Sequence, residues 1–200
     1  MNLITQPISQ ISFEQYMAGE FECPWSDCRW ESGEIVPVPP EYGENNEISQ
    51  YLFFQFRLHI INQGLDMGTC IKDTDIEVNS TKHRTRKPDV MVLSADTRAA
   101  LRGRSAVITK AIDPPLIIVE VISKNYRNID LVEKKQEYLD RQVPEYWTVE
   151  WDCAIPTIIV RTFDAATRSY RSHQYQNPDV VQSTILPNLK LTVNQIIAAQ

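Results

Sequence analysis

The stretch LIIVEVIS, residues 116–123, decides how the rest of the chain is interpreted. It is a short apolar run preceded by two prolines, and such runs are typical of a strand buried on both faces of a sheet. Glu120 interrupts the run with a carboxylate, and burying an unpaired charge costs several kcal/mol. Glu120 is therefore protonated, paired with a cation or bound to a metal ion. A structural salt bridge, or a strand end that reaches solvent, would explain it without any function.

A second carboxylate and a lysine flank this strand in the sequence. Asp89 stands at the start of the apolar segment 90–93, and Lys134 lies on the helix predicted to follow Glu120. Two carboxylates from neighbouring strands, with the main-chain carbonyl of Val121 as a further oxygen ligand, predict a site for Mg²⁺ or Mn²⁺ and not for zinc. A nearby lysine can orient a water molecule or stabilise charge on a phosphate. The set therefore predicts metal-assisted phosphodiester hydrolysis.

Length and charge limit the class of protein. The 200 residues suit one domain, which we divide into an N-terminal extension (1–33), a core (34–191) and a C-terminal helix (192–200). The net charge of -6 argues against a strong general affinity for nucleic acid, although it allows a local basic cleft. We find neither a leader pattern nor an apolar stretch of membrane-spanning length, so we expect a cytoplasmic protein with no membrane contact.

The cysteines do not predict a zinc site. Cys23 and Cys28 have the spacing of a metal-binding pair, but no matching pair of cysteines or histidines follows. The remaining two cysteines are Cys70 and Cys153. In a cytoplasmic protein all four thiols are expected to be reduced.

Hydrophobic periodicity predicts two helices before the candidate site. Ser12 and Gln15 form a capping-box pattern at the start of a short helix over 11–21. A longer helix is predicted over 46–63, capped by Asn45 or Asn46 and closed by a glycine, with apolar residues that predict packing on more than one side.

The rest of the chain reads as strands, two further helices and one basic segment. The helices are predicted over 127–142 and 193–199, and the strands over 34–38, 68–72, 74–78, 90–93, 145–150, 155–163 and 169–175, the last two as a hairpin. The segment 95–113 reads as a loop or partial helix rich in Arg and Lys. Its cations form either a solvated surface or an arm that contacts phosphate.

The segments around the two carboxylates resemble a known superfamily. Pro88-Asp89 and the later EVI motif are similar to the PD-(D/E)XK nucleases, which have the restriction-endonuclease-like fold. PDVMVL, PPLIIVEVIS and DLVEKKQEYLDRQVPEYWTVE look like the Uma family within that superfamily, whose members are described as restriction endonucleases. The resemblance extends over about residues 34–191, and residues 116–149 are its specific part.

The resemblance implies an α/β fold with a restriction-endonuclease-like core, in which helices flank a mixed central β-sheet. It also implies a magnesium-dependent DNA endonuclease, with Mn²⁺ as a possible substitute. Asp89, Glu120 and Lys134 would be the catalytic residues, and Asp89, Glu120 and Val121 would hold the metal ion. A symmetric homodimer is expected, because cutting both strands of a duplex usually needs two such sites.

The position of the lysine departs from the usual superfamily motif. That motif has its lysine two residues after the glutamate, where this chain has Ile122. The family pattern instead has a lysine on the following helix, and Lys134 matches it. Lys134 shares a predicted helix face with Asp130 and Tyr138, so a surface ion pair with Asp130 is an alternative. Lys135, near the apolar stripe, is the reserve candidate.

Glu47 has two interpretations. It lies near the start of the long predicted helix, where a carboxylate complements the helix dipole. In the superfamily that the chain resembles, a glutamate early in the first long helix sometimes joins the metal site, which makes Glu47 a candidate for that role.

Two other functions stay open. The first is a binding or regulatory protein with the same fold and weak catalysis or none, because a fold does not fix a function. The second is metal-dependent hydrolysis of another phosphate ester, such as RNA or a nucleotide.

Overall fold

The computed structural model describes residues 8–38, 40, 42–79, 83–122 and 129–199. The helices are α1 (Phe13–Ala18), α2 (Gly43–Asn62), α3 (Ala95–Ala100), α4 (Lys134–Asp140) and α5 (Val193–Ile197), and a π-helical turn (Ile129–Glu133) precedes α4. The strands are β1 (Ile8–Ser9), β2 (Cys28–Glu31), β3 (Glu34–Pro37), β4 (Met67–Ile71), β5 (Asp75–Asn79), β6 (His83–Arg86), β7 (Val90–Ser94), β8 (Val107–Ile108), β9 (Ile117–Val121), β10 (Glu145–Glu150), β11 (Thr157–Asp164), β12 (Ser169–Gln176), β13 (Val180–Val181) and β14 (Leu191–Thr192).

The central sheet is mixed, as the sequence predicts. Its six strands lie in the order β12-β11-β10-β9-β7-β4. The neighbours β9 and β10 are parallel, whereas the other neighbouring strands are antiparallel. The predicted hairpin is confirmed as β11 and β12, and the strand predicted around Glu120 is confirmed as β9, buried along its whole length.

Helix α2 covers one face of this sheet. It begins at Gly43 with Tyr42 as its N-cap, so the predicted caps Asn45 and Asn46 are wrong. Gly64, with φ of 63°, lies just beyond its end, as predicted. The buried side of α2 packs on β7, β9 and β10 through Ile48, Leu52, Phe56 and Ile60.

The outer side of α2 differs from the prediction that it packs on more than one side. Phe54 is 59% exposed and Ile61 is 64% exposed. Its outer side is therefore open to solvent at these two residues, whereas Tyr51 and Phe53 pack partly buried against the core beside the buried face.

A second six-stranded sheet lies against the other face of the central sheet, in the order β1-β3-β2-β6-β5-β8. Ile76 and Ile108 of this sheet share a core with Met91 and Ile118 of the central sheet. The sequence did not predict strands β2 and β6. The pattern of β6, HRTR, has no apolar residue, yet Arg84, Thr85 and Arg86 are all buried.

The remaining predicted elements are largely confirmed. The capping box of Ser12 and Gln15 is present at the start of α1. The segment 95–113 contains α3 and the short strand β8, and the predicted C-terminal helix is α5. The helix predicted over 127–142 starts with the π-helical turn and continues as α4, while its first residues, Arg127 and Asn128, lie outside the described part of the chain.

The state of the cysteines differs in part from the expectation. Cys23 and Cys28 form a disulfide across a Cα–Cα distance of 6.2 Å, so the expectation of four reduced thiols is wrong for this pair. Cys70 and Cys153 are free.

Among the described helices, none combines the length and the apolar character that crossing a bilayer requires.

Candidate active site

The side-chain alternation of two strands sets Asp89 and Glu120 on the same face of the central sheet. Val119 and Val121 of β9 point into the core beneath α2, so Glu120 between them points to the opposite face. Val90 pairs with Val119 in the antiparallel ladder of β7 and β9. One step further along this ladder sets Asp89 opposite Glu120, where side chains of neighbouring strands are in contact range.

Glu120 is 2% exposed and its two oxygens accept hydrogen bonds from helix α4. Lys134 Nζ lies 2.8 Å from Glu120 Oε2, and the Tyr138 hydroxyl donates to Oε1 at 2.5 Å. Burial raises the pKa of the Tyr138 hydroxyl well above its usual value, and the charge of Glu120 raises it further. The hydroxyl therefore stays protonated and remains a donor to Glu120.

Asp89 is also buried, with 4% of its surface exposed. The main-chain N–H of Val121 donates to Asp89 Oδ2 at 2.6 Å. On the other side, Lys72 Nζ lies 3.4 Å from Asp89 Oδ1. The structure therefore brings Asp89, Glu120 and Lys134 together, as the sequence predicts, and adds Lys72 to them.

The carbonyl of Val121, the predicted third oxygen ligand, is at the same sheet edge. It accepts a hydrogen bond from Asn45 Nδ2 at 3.1 Å, and Asn45 Oδ1 accepts one from Trp151 Nε1 at 2.7 Å. A carbonyl oxygen has two lone pairs, so this bond does not exclude Val121 as a ligand. Asn45 fixes the first turn of α2 over the end of β9, which is a role that its sequence pattern did not reveal.

The structure also places the alternative candidates. Lys135 is exposed, whereas Lys134 is the lysine of α4 that contacts Glu120. Glu47 is exposed on α2, and the carboxylate in the first turn of that helix is Glu44. The side chain of Asp130, the alternative partner of Lys134, lies outside the described part of the chain.

Helix α4 is anchored by a second ionic cluster one residue away from Tyr138. Glu137 is fully buried and accepts from Arg86 Nε at 2.7 Å and from Arg86 Nη2 at 3.0 Å, while Arg84 Nε lies 2.9 Å from it. Burial alone would lower the pKa of Arg86, but the hydrogen bonds and charge of Glu137 raise it overall. This bidentate pair fixes the rotation of α4, and so determines which of its side chains reach Glu120.

The donor set fits a divalent ion with few protein ligands. The described residues contain no group of three or more His, Cys, Asp or Glu side chains that could hold a metal ion. Mg²⁺ commonly takes one or two carboxylates and keeps several water or substrate oxygens, and oxygen ligands suit Mg²⁺ or Mn²⁺. Like charges opposite each other on neighbouring strands repel, and Lys72 and Lys134 offset that repulsion here. Asp89 and Glu120 therefore fit such an ion.

Comparisons with known proteins identify a family and a fold. The Uma2 family, described as "Putative restriction endonuclease", matches residues 13–194. A solved structure of a protein described as "a putative nuclease belonging to DUF820" from Anabaena variabilis ATCC 29413 has a similar fold. Its TM-score is 0.66 at 12% sequence identity, over 86% of this chain and 90% of that one. None of the curated proteins compared with the chain matches it.

Proposed function

Because the chain belongs to the Uma2 family of the restriction-endonuclease-like fold, we propose that it is a metal-dependent DNA endonuclease with its active site at Asp89, Glu120 and Lys134. One observation carries the proposal. Two buried carboxylates from adjacent strands stand side by side, and a lysine from α4 lies 2.8 Å from one of them. Mg²⁺ in proteins is commonly held by one or two carboxylates, and this pair matches that pattern.

Each residue has a distinct part in this reaction. Asp89 and Glu120 would hold Mg²⁺ or Mn²⁺, with the carbonyl of Val121 as a further ligand. When bound, the ion supplies positive charge that offsets the phosphate and lowers the pKa of a nearby water. Lys134 donates to Glu120, so its ammonium is positioned to orient the attacking water and to stabilise negative charge developing on the phosphate. Tyr138 and the N–H of Val121 fix the orientation of the two carboxylates.

We further propose that the enzyme acts on duplex DNA as a homodimer. One active site cuts one strand at a time, so concerted cleavage of both strands at one position usually needs two copies related by a twofold axis. Supercoiled plasmid should then be converted to linear DNA without an accumulated nicked form. Sedimentation equilibrium of the purified protein should give twice the chain mass, and the mass of one chain would exclude the dimer.

A second candidate function is a DNA-binding or regulatory protein without catalysis. Each oxygen of Asp89 and Glu120 has a protein donor or cation within 3.4 Å, as expected where the carboxylates are structural. This candidate predicts that Mn²⁺ does not bind in calorimetry. Hydrolysis of RNA or nucleotides by the same site is tested by replacing the plasmid with those substrates.

The decisive experiment is cleavage of supercoiled plasmid with Mg²⁺ or Mn²⁺. Wild type is compared with Glu120→Ala and Lys134→Ala, and with the matched control Lys135→Ala, which removes an exposed lysine beside Lys134. We expect no cleavage by Glu120→Ala, a rate about 10²- to 10³-fold lower for Lys134→Ala, and wild-type activity for the control. Wild-type protein that neither cuts DNA nor binds Mn²⁺ would refute the proposal.

A further inference from the structure

Lys72 extends the pair of carboxylates into a row of three charged side chains. Ile71, the last residue of β4, pairs with Val90 of β7. One step further along that ladder sets Lys72 opposite Asp89, just as Asp89 is opposite Glu120. The row Lys72, Asp89, Glu120 thus crosses three neighbouring strands at one edge of the central sheet.

Asn46 and Asp89 both contact the ammonium group of Lys72 in this row. Its Nζ donates to Asn46 Oδ1 at 2.6 Å and lies 3.4 Å from Asp89 Oδ1. Asn46 belongs to the first turn of α2, so the lysine is held between a helix start and a strand start. The Lys72 side chain is 23% exposed, whereas the Asp89 side chain is 6% exposed. Lys72 is therefore the more solvent-accessible member of this pair.

The backbone of Lys72 is in the left-handed region, with φ of 48°. For a residue with a side chain this conformation costs on the order of 1 kcal/mol, and glycine or asparagine would adopt it more easily. The chain thus has a lysine at a position where its backbone conformation disfavours one. A lysine that acts on a ligand explains this choice, since strained residues concentrate at functional sites.

We propose that Lys72 binds a phosphate of the DNA backbone on the Asp89 side of the active site, opposite Lys134. This inference rests on the proposed function. The two lysines lie on either side of the carboxylate pair, one on Asp89 and one on Glu120. Substrate bound over this edge would exchange part of the Lys72–Asp89 attraction for contact with a phosphate oxygen, while Asn46 keeps the ammonium in place.

Two measurements test this assignment. Loss of the Lys72 charge should weaken DNA binding but strengthen Mn²⁺ binding. The first is the salt dependence of duplex DNA binding with Ca²⁺ in place of Mg²⁺, measured by fluorescence anisotropy on DNA that is shown to stay intact. Lys72→Met should weaken binding about three- to tenfold and lower the slope of log K against log salt by about 0.9, the loss of one phosphate contact. Lys72→Arg should retain both the affinity and the slope.

The second measurement is Mn²⁺ binding without DNA, by calorimetry. Removing a positive charge next to Asp89 favours the cation, so Lys72→Met should bind Mn²⁺ about threefold or more tightly than wild type. The matched control is Lys190→Met, which removes an exposed lysine just before β14. This control should change neither the DNA slope nor Mn²⁺ binding.

The outcomes separate this inference from the proposed function. If wild type binds Mn²⁺ and cuts DNA but Lys72→Met keeps the wild-type salt slope, the assignment of Lys72 is wrong and the endonuclease stands. If Lys72→Met instead binds Mn²⁺ more weakly, Lys72 only holds Asp89 in place, and the assignment is again overturned. Failure of wild type to bind Mn²⁺ and to cut DNA overturns both proposals.

Discussion

Replacing Tyr138 tests how much the orientation of Glu120 contributes to the reaction, because the charge of Glu120 is left unchanged. Tyr138→Phe removes the hydroxyl that donates to Glu120 Oε1 and leaves Lys134 in place. We expect a loss of about 1–3 kcal/mol in the free energy of unfolding, because a buried acceptor loses its partner. We also expect about tenfold slower plasmid cleavage. Urea denaturation and initial cleavage rates measure the two effects.

The matched control for this change is Tyr170→Phe. Its hydroxyl donates to the main-chain carbonyl of Val143 at 3.0 Å, which involves no charged group. The control should lose about 0.5–1.5 kcal/mol of stability and keep the wild-type cleavage rate. Equal cleavage by Tyr138→Phe and wild type would show that the hydroxyl does not orient Glu120 for the reaction.

Asp75, which lies outside the candidate active site, should make the stability of the protein depend on pH. It is 4% exposed, and burial raises its pKa above the ordinary value of 3.8, although the hydrogen bond from Tyr16 partly opposes the rise. The folded state therefore binds this proton more tightly than the unfolded state. The contribution of Asp75 to stability is complete below the unfolded pKa and is lost as the pH rises through the folded pKa.

Asp75→Asn keeps an acceptor for Tyr16 and removes this titration. We expect the variant to gain stability relative to wild type as the pH rises from below 4 to 7. The gain should be smallest at the acid end of the range. Urea unfolding of both proteins across this pH range measures the difference. A difference that does not change with pH would show that Asp75 has an ordinary pKa in the folded protein.

At the scale of elements, helix α4 is positioned by ion pairs and not by an apolar face alone. Glu137→Gln leaves Arg84 and Arg86 buried without this counter-charge, which should cost about 3–5 kcal/mol. The matched control is Glu133→Gln. Its side chain is 42% exposed and lies 3.4 Å from the same two arginines, so it should cost less than about 1 kcal/mol.

Urea denaturation of the two variants measures how much each glutamate contributes to stability. Glu137 is the buried partner of Arg84 and Arg86, and Glu133 is their exposed partner. Equal losses of stability would contradict the view that Glu137 anchors α4. Because α4 carries Lys134 and Tyr138, Glu137→Gln should also slow DNA cleavage under conditions where the variant is still folded. Glu133→Gln should cleave at the wild-type rate.

The elements that the sequence predicts are those whose cause is local. The capping box of α1, the β11–β12 hairpin and the apolar run of β9 each follow from residues close together in the chain. The strand β6 was missed because its buried arginines are satisfied by Glu137, at a sequence separation of 51. The Asn45 contact with Val121 spans 76 residues, and Lys72 meets Asp89 only through strand pairing. Local periodicity contains no information on such contacts.

The candidate residues Asp89, Glu120 and Lys134 could be predicted because carboxylates are costly in apolar strands, and because the resemblance indicated a lysine on the following helix. What the sequence could not decide was the choice between Lys134 and Lys135. Helical spacing put Lys134 on one face with Asp130 and Tyr138, and it put Lys135 near the apolar stripe. The observed segment, however, begins with a π-helical turn before α4. A π-helical turn changes the rotation of all later residues, and such turns are frequent at functional sites.

At the scale of the whole molecule, binding of a divalent ion to the folded state should raise its stability. At a Mg²⁺ concentration tenfold above Kd, ion binding should raise the free energy of unfolding by about 1.4 kcal/mol. For a chain of this size, that should raise the melting temperature by roughly 3–6 °C. Chelation with EDTA should remove the shift, and Glu120→Gln should abolish it. Calorimetric melting measures both. A shift that persists in Glu120→Gln would mean that the ion binds elsewhere.

The pairing of β7 with β9 has a consequence for which insertions and deletions the gene can tolerate. Side chains alternate along a strand, so deleting one residue within β7 or β9 would turn Asp89 or Glu120 toward the apolar core beneath α2. Lys134 is joined to β9 through a connecting segment and a helix, so no strand register constrains it. A scan of single-codon deletions should therefore find that β7 and β9 do not tolerate a deletion. Among related sequences, differences in length should accumulate between β9 and Lys134.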